Sequence, residues 1–221
     1  AEEKMIGIVM CNNHGGGRLL SPFGGIDARM SPNPIAVGIP TGQTFQIVVD
    51  MTSSVVAEGK IRVKRNLGET LPEGWVIDGD GNATTDPAAF YGPPRGSILP
   101  FGGITAHKGY ALAIVVDVLS GALGGAGCSR DGASSGGNGV FLMAIDVGAF
   151  TGRDSFKEEM TTFIDWLKTA RLMPGFDEIL IPGEVENRMR LQKEQDGVFL
   201  DDETWRQIQE TGNTVGVDVQ A

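Results

Sequence analysis

The chain reads as a mixed α/β (α+β) protein, with a glycine-rich domain of strands and helices over residues 1–150 and a helical segment over 151–221. Three observations predict this. Short apolar runs bounded by turn residues alternate with longer stretches of helical periodicity in the first two thirds of the chain. Glycine is abundant, 33 residues of 221, about twice the usual share, and it falls in turns rather than in a triplet repeat. After residue 150 the texture shifts to amphipathic helical spacing. Hydrophobic residues at 41% and charged residues at 21% suit a chain that buries a sizeable core and exclude global disorder.

Taken in order, Met5 to Cys11 predicts a buried strand that runs into the loop NNHGGGRLLSPFGG. A chain that starts at Ala1 and enters a strand with no turn signal is expected to be a fragment of a longer one. Prolines at 32, 34 and 40 make SPNPIAVGIPTG an extended, turn-punctuated stretch, and Phe45 to Asp50 a second strand. Thr52, Ser53 and Ser54 are good helix caps, so VVAEGKIRVKRN is expected to be helical, with Gly68 at its exit and Val56, Val63 and Leu67 on its buried stripe. Asp78 to Gly81 suits a hairpin turn. Tyr110 to Leu123 is apolar nearly all round, as in a helix covered by its neighbours. AGCSRDGASSGGNG reads as a flexible loop before a strand over Val140 to Val147. Ser155 and Glu158 form a capping box ahead of Phe156, Met160, Phe163, Ile164 and Leu167. ILIPGEVE is extended and leads to a polar helix ending near Gly197, and Asp201 or Asp202 caps a last helix carrying Trp205 and Ile208.

Charge and cysteine content narrow the function. Eighteen Lys and Arg against 28 Asp and Glu leave a net charge of −10, which argues against nucleic acid or an anionic membrane as the partner. The basic run Lys60, Arg62, Lys64, Arg65 has no interleaved aromatics and fits a helix C-terminus. Cys11 and Cys128 support neither a disulfide framework nor a cysteine-rich metal site, so no metal is expected. With no signal peptide visible, a cytoplasmic location is expected. The apolar stretch from Tyr110 stops at Asp117, well short of the ~20 residues of a membrane span.

Several constellations bear on chemistry. In VVDMTSS a strand end at Asp50 meets an expected helix start, an arrangement whose free N–H groups attract anions, while Asp50 suits ribose hydroxyls; a well-capped helix explains the same residues. Lys108 stands at the start of the apolar helix, where a structural cation is unfavourable and a phosphate-binding one is useful. His107 beside it is equally well explained as hydrogen-bonded structure. The glycines of NNHGGGR lack both the G-x-G-x-x-G spacing and a following helix, and no P-loop occurs, so a Rossmann fold or P-loop is not expected. His14 to Gly17 resembles an esterase oxyanion-hole motif, and Gly132 to Gly136 matches G-x-S-x-G around Ser134. No His follows position 107, however, and Ser134 precedes a strand instead of a helix, which leaves a serine hydrolase a distant third reading.

Five strings in order, SPFGGIDARMSPNPIAVGIP, VVDMTSSVVAEGKI, LPEGWVIDGDGNATTDP, LPFGGITAHKGYALAIVVDVLSGAL and ILIPGEVENRMR, resemble the malate/L-lactate dehydrogenase family of non-Rossmann NAD(P)-dependent 2-hydroxyacid oxidoreductases, which includes ureidoglycolate and diketogulonate dehydrogenases. The resemblance implies an NAD(P)-binding mixed-sheet domain, a helical C-terminal appendage and a homodimer. It implies cofactor contacts at Asn13, at Asp50, Met51 and Thr52, at Lys108, and at Gly183, Glu184 and Val185. The implied reaction is reversible hydride transfer between nicotinamide, of NAD or NADP, and a 2-hydroxy acid such as malate or L-lactate. The family's N-terminal part, which carries its catalytic His, has no counterpart here, so no catalytic residue is assigned and the chain is expected to be N-terminally truncated. The alternative is a non-catalytic nucleotide-binding or assembly module.

Overall fold

Strand β1 (Met5–Asn13) owes its place to a run of apolar residues with no charged side chain, long enough to be paired along both edges. The computed structural model describes residues 1–15, 17–132, 137–200 and 202–218, with side chains at 202–204 excepted. On one edge β1 pairs antiparallel with β2 (Ile35–Ile39), Gly7 opposite Gly38. On the other it pairs with β7 (Asn138–Asp146), from Met5 opposite Asp146 to Asn13 opposite Asn138. Strand β3 (Ile47–Met51) extends the sheet beyond β2, giving the order β3–β2–β1–β7 with every pairing antiparallel. A second, smaller sheet has β4 (Val76–Ile77) between β5 (Ala83–Thr84) and β6 (Ser97–Ile98). The expected hairpin turn at Asp78 to Gly81 joins β4 to β5, closed by the Gly81 amide on the Asp78 carbonyl.

Six α-helices accompany the sheets among the described residues. They are α1 (Glu58–Leu67), α2 (Pro87–Tyr91), α3 (His107–Asp117), α4 (Arg153–Lys168), α5 (Glu184–Asp196) and α6 (Asp202–Thr214). Helix α3 continues as a wider π-helical turn over Val118–Ala122. Two apolar clusters fix these layers. Ile61 of α1 and Phe90 of α2 meet Val76 and Ile98 of the small sheet, all fully buried. Ile164 of α4 packs with Phe45, Ile47 and Ile181, so α4 and the segment before α5 are bound to β3 of the large sheet.

One polar node lies in the interior. Asn12 is 1% exposed, and its amide nitrogen donates to Asp117 Oδ1 at 2.7 Å and to the Gly127 carbonyl at 3.1 Å. Its Oδ1 accepts from the Gly139 amide at 3.0 Å. The second oxygen of Asp117 accepts from the Ser129 amide at 3.0 Å. A single side chain thus ties β1, α3, the following turn and β7 together, and the side-chain polar atoms of Asn12 and Asp117 are all hydrogen-bonded.

Several expectations need correcting. Helix α1 begins at Glu58, not at the Thr52–Ser54 cluster, and its cap position is Ala57 with no side-chain cap. The hydroxyls go elsewhere, Ser53 Oγ to the Pro32 carbonyl at 2.7 Å and Ser54 Oγ to the Val56 carbonyl at 2.8 Å. The expected helical stripe also fails, since Val63 and Leu67 are 56% and 66% exposed and Ile61 is the buried residue of that helix. Gly68 is the exit as expected, in left-handed conformation at φ 71°. The apolar helix is not covered all round, because Ile114, Val115 and Val118 reach solvent. Ser155 lies inside α4, which starts after Gly152, so no capping box forms. The PNPIAVGIP stretch contains a paired strand, β2. Ser134 of the hydrolase motif and Asp201 lie outside the described residues.

Replacing Asn12 with Ala leaves an Asp117 oxygen, the Gly127 carbonyl and the Gly139 amide with buried bonds unmade, and is expected to cost about 3 kcal/mol. The shift of the urea midpoint at unchanged slope measures it.

Candidate functional site

Alternation along β3 turns Ile47 into the core and leaves Val48 and Asp50 outward at the open edge of the sheet. That edge is capped from far along the sequence. The Val48 amide donates to the Pro182 carbonyl at 3.0 Å, so the turn before α5 continues the hydrogen-bonding of the strand. Gly183 follows at φ 92°, and a Cβ there would stand 2.7 Å from the Gln46 carbonyl oxygen and 2.8 Å from the Val48 nitrogen. Only glycine permits both the left-handed backbone and this approach.

Between β3 and the turn lies a groove of about 520 Å³. Its walls are Val48, Val49, Leu180, Ile181, Pro182 and Val185, with Gly183 at the turn, and its two charged lining residues are Asp50 and Glu186. Among the described residues, no hydrogen bond or ion pair engages the Asp50 carboxylate. Asp50, Gly183 and Val185, named from the sequence in two distant stretches, thus line a single groove.

Glu184 faces the other way. It is 7% exposed, and Lys168 Nζ donates to its two oxygens at 2.9 and 2.7 Å. Arg188 Nη2 donates at 2.6 Å and the Ile181 amide at 3.2 Å. Burial is the largest single influence on its carboxyl and pushes the pKa up; the bonds from Lys168, the Ile181 amide and Arg188 outweigh it and hold the group below the usual glutamate range. The carboxylate therefore closes its own turn instead of lining the groove.

A second set of links joins the ends of β1 and β3 to helix α3. The Asn13 amide donates to Ser31 Oγ at 3.2 Å, while the Asn13 side chain accepts from Gly15 and Gly17 and shapes the glycine loop. The Pro32 carbonyl accepts from the Ser53 amide at 2.8 Å, and Asn33, fully buried, donates to the Ala113 carbonyl of α3 at 2.9 Å. The Phe101 amide donates to the Ser53 carbonyl at 3.0 Å, and the same Phe101 backbone lies so close to Gly109 of α3 that a Cβ at 109 has no room. Lys108, the neighbour of Gly109, is therefore carried on the α3 end tied to the Thr52–Ser54 turn. Lys108 is exposed and forms no ion pair among the described residues. Met51 is half-buried opposite Ile35, and Thr52 Oγ1 donates to the Ser54 carbonyl at 3.0 Å.

Ser31, Asn33 and Phe101 were not singled out from the sequence, although the SPNP string, with Pro32 and Pro34, is the signal that the backbone there is constrained. Next to this end lies an apolar cavity of about 630 Å³ that includes Phe23, Ile26, Pro100 and Ile104 in its lining. Phe23 meets His107 edge-on at 5.8 Å. Among the described residues no group of three His, Cys, Asp or Glu side chains is placed to hold a metal ion.

Of the residues named from the sequence, the groove lining includes Asp50, Gly183 and Val185, and not Asn13, Met51, Thr52, Lys108 or Glu184. Apolar walls suit a base, a carboxylate free of partners suits ribose hydroxyls, and an unpaired lysine suits a pyrophosphate.

A malate/L-lactate dehydrogenase family profile matches residues 1–209. The chain is 37% identical over 231 aligned positions to a malate dehydrogenase of Pyrococcus horikoshii, covering 99% of this chain and 61% of that protein. It is 35% identical to an L-lactate dehydrogenase of Cupriavidus necator, covering 91% and 58%. The structure of a sulfolactate dehydrogenase from Methanocaldococcus jannaschii superimposes with a TM-score of 0.81 at 34% identity, over 98% of this chain and 61% of that one. The chain thus spans about three fifths of the length of these relatives.

Because Glu184 is held as an anion in the folded chain, it contributes stability above the ordinary glutamate pKa of about 4.3 and loses it as pH falls through its depressed folded value. Glu184→Gln is expected to cost about 2 kcal/mol at pH 7 and to flatten the acid loss of stability below about pH 4.3. Urea midpoints of both chains as a function of pH measure the difference.

Proposed function

This chain belongs to the malate/L-lactate dehydrogenase family, and we propose that its groove between β3 and the Pro182–Gly183 turn, with Lys108 of α3, holds a nicotinamide dinucleotide, NAD or NADP. The observation that carries this reading is the shared groove: Asp50 on β3 and Gly183 and Val185 before and in α5 line one hollow although they are distant in sequence. Asp50 accepts from ribose hydroxyls, the apolar walls exclude water from a base, and Lys108 carries the charge that a pyrophosphate needs. Gly183 and Val185 line that hollow, and Glu184 serves it from behind by fixing the turn. Asn13 and the Met51–Thr52 backbone complete the contacts from the ends of β1 and β3.

When bound, the dinucleotide supplies hydride transfer to or from the 2-carbon of a hydroxy acid of the malate or L-lactate type. The protein's part is orientation and charge complementarity, and no proton-transfer residue is assigned. The free thiols Cys11 and Cys128 fit a reducing, cytoplasmic setting. The apolar side chains of Ile114, Val115 and Val118 at the surface of α3 and its extension fit a homodimer.

Titration of the chain with NADH or NADPH, followed by nucleotide fluorescence, tests the assignment. Lys108→Ala is expected to lose a charged hydrogen bond, about 1.5–3 kcal/mol, or tenfold to more than a hundredfold in Kd. Asp50→Ala is expected to weaken binding about tenfold through its lost ribose bonds. Affinity unchanged in both variants contradicts the site.

A further inference from the structure

The segment that walls the groove ends in an ion cluster around Glu184, and one member of that cluster comes from a different helix. Lys168 is the last residue of α4, where the chain has crossed the β3 edge and Ile164 is already buried against Ile47 and Ile181. A cation in the final turn of a helix is favourable by itself. Here it also reaches across to the next element. Its Nζ donates to both oxygens of Glu184, at 2.9 and 2.7 Å, and to the Ile179 carbonyl at 3.3 Å. These bonds grip the two ends of the Ile179–Glu184 segment, whose middle carries the groove wall, the Pro182 carbonyl on the Val48 amide and the close approach of Gly183. Arg188, one turn into α5, is shared between Glu178 and Glu184 and so binds the same segment to its own helix. Beside the apolar contact of Ile181 with Ile164, Lys168 is the charged tie between this segment and α4 among the described residues.

We infer that Lys168 is a positioning residue for the dinucleotide groove. Its ammonium holds the Glu184 carboxylate and the Ile179 carbonyl in place, and thereby sets the distance between the Pro182–Gly183 turn and Asp50. The inference rests on the groove being the dinucleotide site. Lys168 touches no part of the groove itself, since it is absent from the lining and acts through Glu184. Removing the ammonium leaves a buried carboxylate with only Arg188 and one amide, a strong incentive for the turn to shift toward solvent.

The test compares three variants of the full chain, Lys168→Met, Lys168→Arg and Ile61→Val, by titration with NADH and NADPH and by thermal melting. Ile61→Val removes one methylene from the core cluster at the small sheet, none of whose members lines the groove. Lys168→Met is expected to raise Kd tenfold or more at a temperature where the chain is fully folded. Lys168→Arg is expected to restore Kd to within about threefold, because a guanidinium can still pair with the carboxylate. Ile61→Val is expected to lower the melting temperature and leave Kd within twofold. Should Lys168→Met fail to fold, Lys168→Gln is titrated in its place with the same expectation. Wild-type binding that persists within twofold in the Met or Gln variant overturns the positioning role. So does a parallel loss of affinity in Ile61→Val, which marks a general effect of stability. A wild-type chain that binds neither dinucleotide overturns the groove assignment and this inference with it.

Discussion

The backbone of Gly183 lies against the backbone of β3 with no room for even a β-carbon between them, and the candidate site is a consequence of that contact. An open strand edge is a row of unpaired amides and carbonyls. At Val48 the edge is taken up by the Pro182 carbonyl, and at Gly183 the chain turns away in a left-handed conformation to start α5. The groove is the space left beside this junction, and its acidic end, Asp50, is two residues along the strand from the amide that anchors the turn. The contact is sustained from two sides. Ile181 and Ile47 share an apolar cluster with Ile164, and the Glu184 carboxylate is neutralised by Lys168 and Arg188. Apolar burial supplies adhesion and the charged bonds supply register.

The opposite end of the site is organised by backbone carbonyls. Pro32 and Asn33 lie in a buried segment that hydrogen-bonds the Ser53 turn on one side and helix α3 on the other. Pro32 lacks an N–H of its own, so its carbonyl is its single backbone contribution, and two groups of Ser53 converge on it. The Asn12–Asp117 bond holds the same helix to β1 one layer deeper. Lys108 is thus displayed from a helix bound at two depths, which gives an exposed cation a defined origin.

Much of this was legible in the sequence, and the reasons differ by element. Strands β1, β3 and β7 announce themselves as apolar runs, and the Asp78–Gly81 turn and the Gly68 exit rest on local backbone preferences that tertiary structure leaves intact. Capping was misread for the opposite reason. Ser53, Ser54 and Ser155 have the right side chains, but a hydroxyl bonds whichever group tertiary structure brings near, and at Ser53 that is the Pro32 carbonyl. The stripe Val56, Val63 and Leu67 presumed a helix beginning before Val56; starting at Glu58 instead, α1 turns Ile61 inward. In the site, Asp50 and Lys108 could be singled out from charge at an element's end. The engagement of Glu184 could not, because its partner Lys168 is a helix away and nothing local distinguishes Glu184 from an exposed glutamate. The family resemblance drew attention to Gly183–Val185, and the geometry separates those three into two groove-lining residues and one buried brace.

The central claim is that a dinucleotide occupies the hollow between β3 and the Pro182–Gly183 turn. Amide hydrogen exchange of the chain with and without saturating NADH locates the ligand without reference to turnover. The account predicts slowed exchange concentrated in residues 48–52 and 180–186 and at the start of α3 around Lys108, with the outer strand β7 unchanged. Protection that spares those segments and falls elsewhere, for example around Thr41 and Arg153 at the far end of α4, would contradict it.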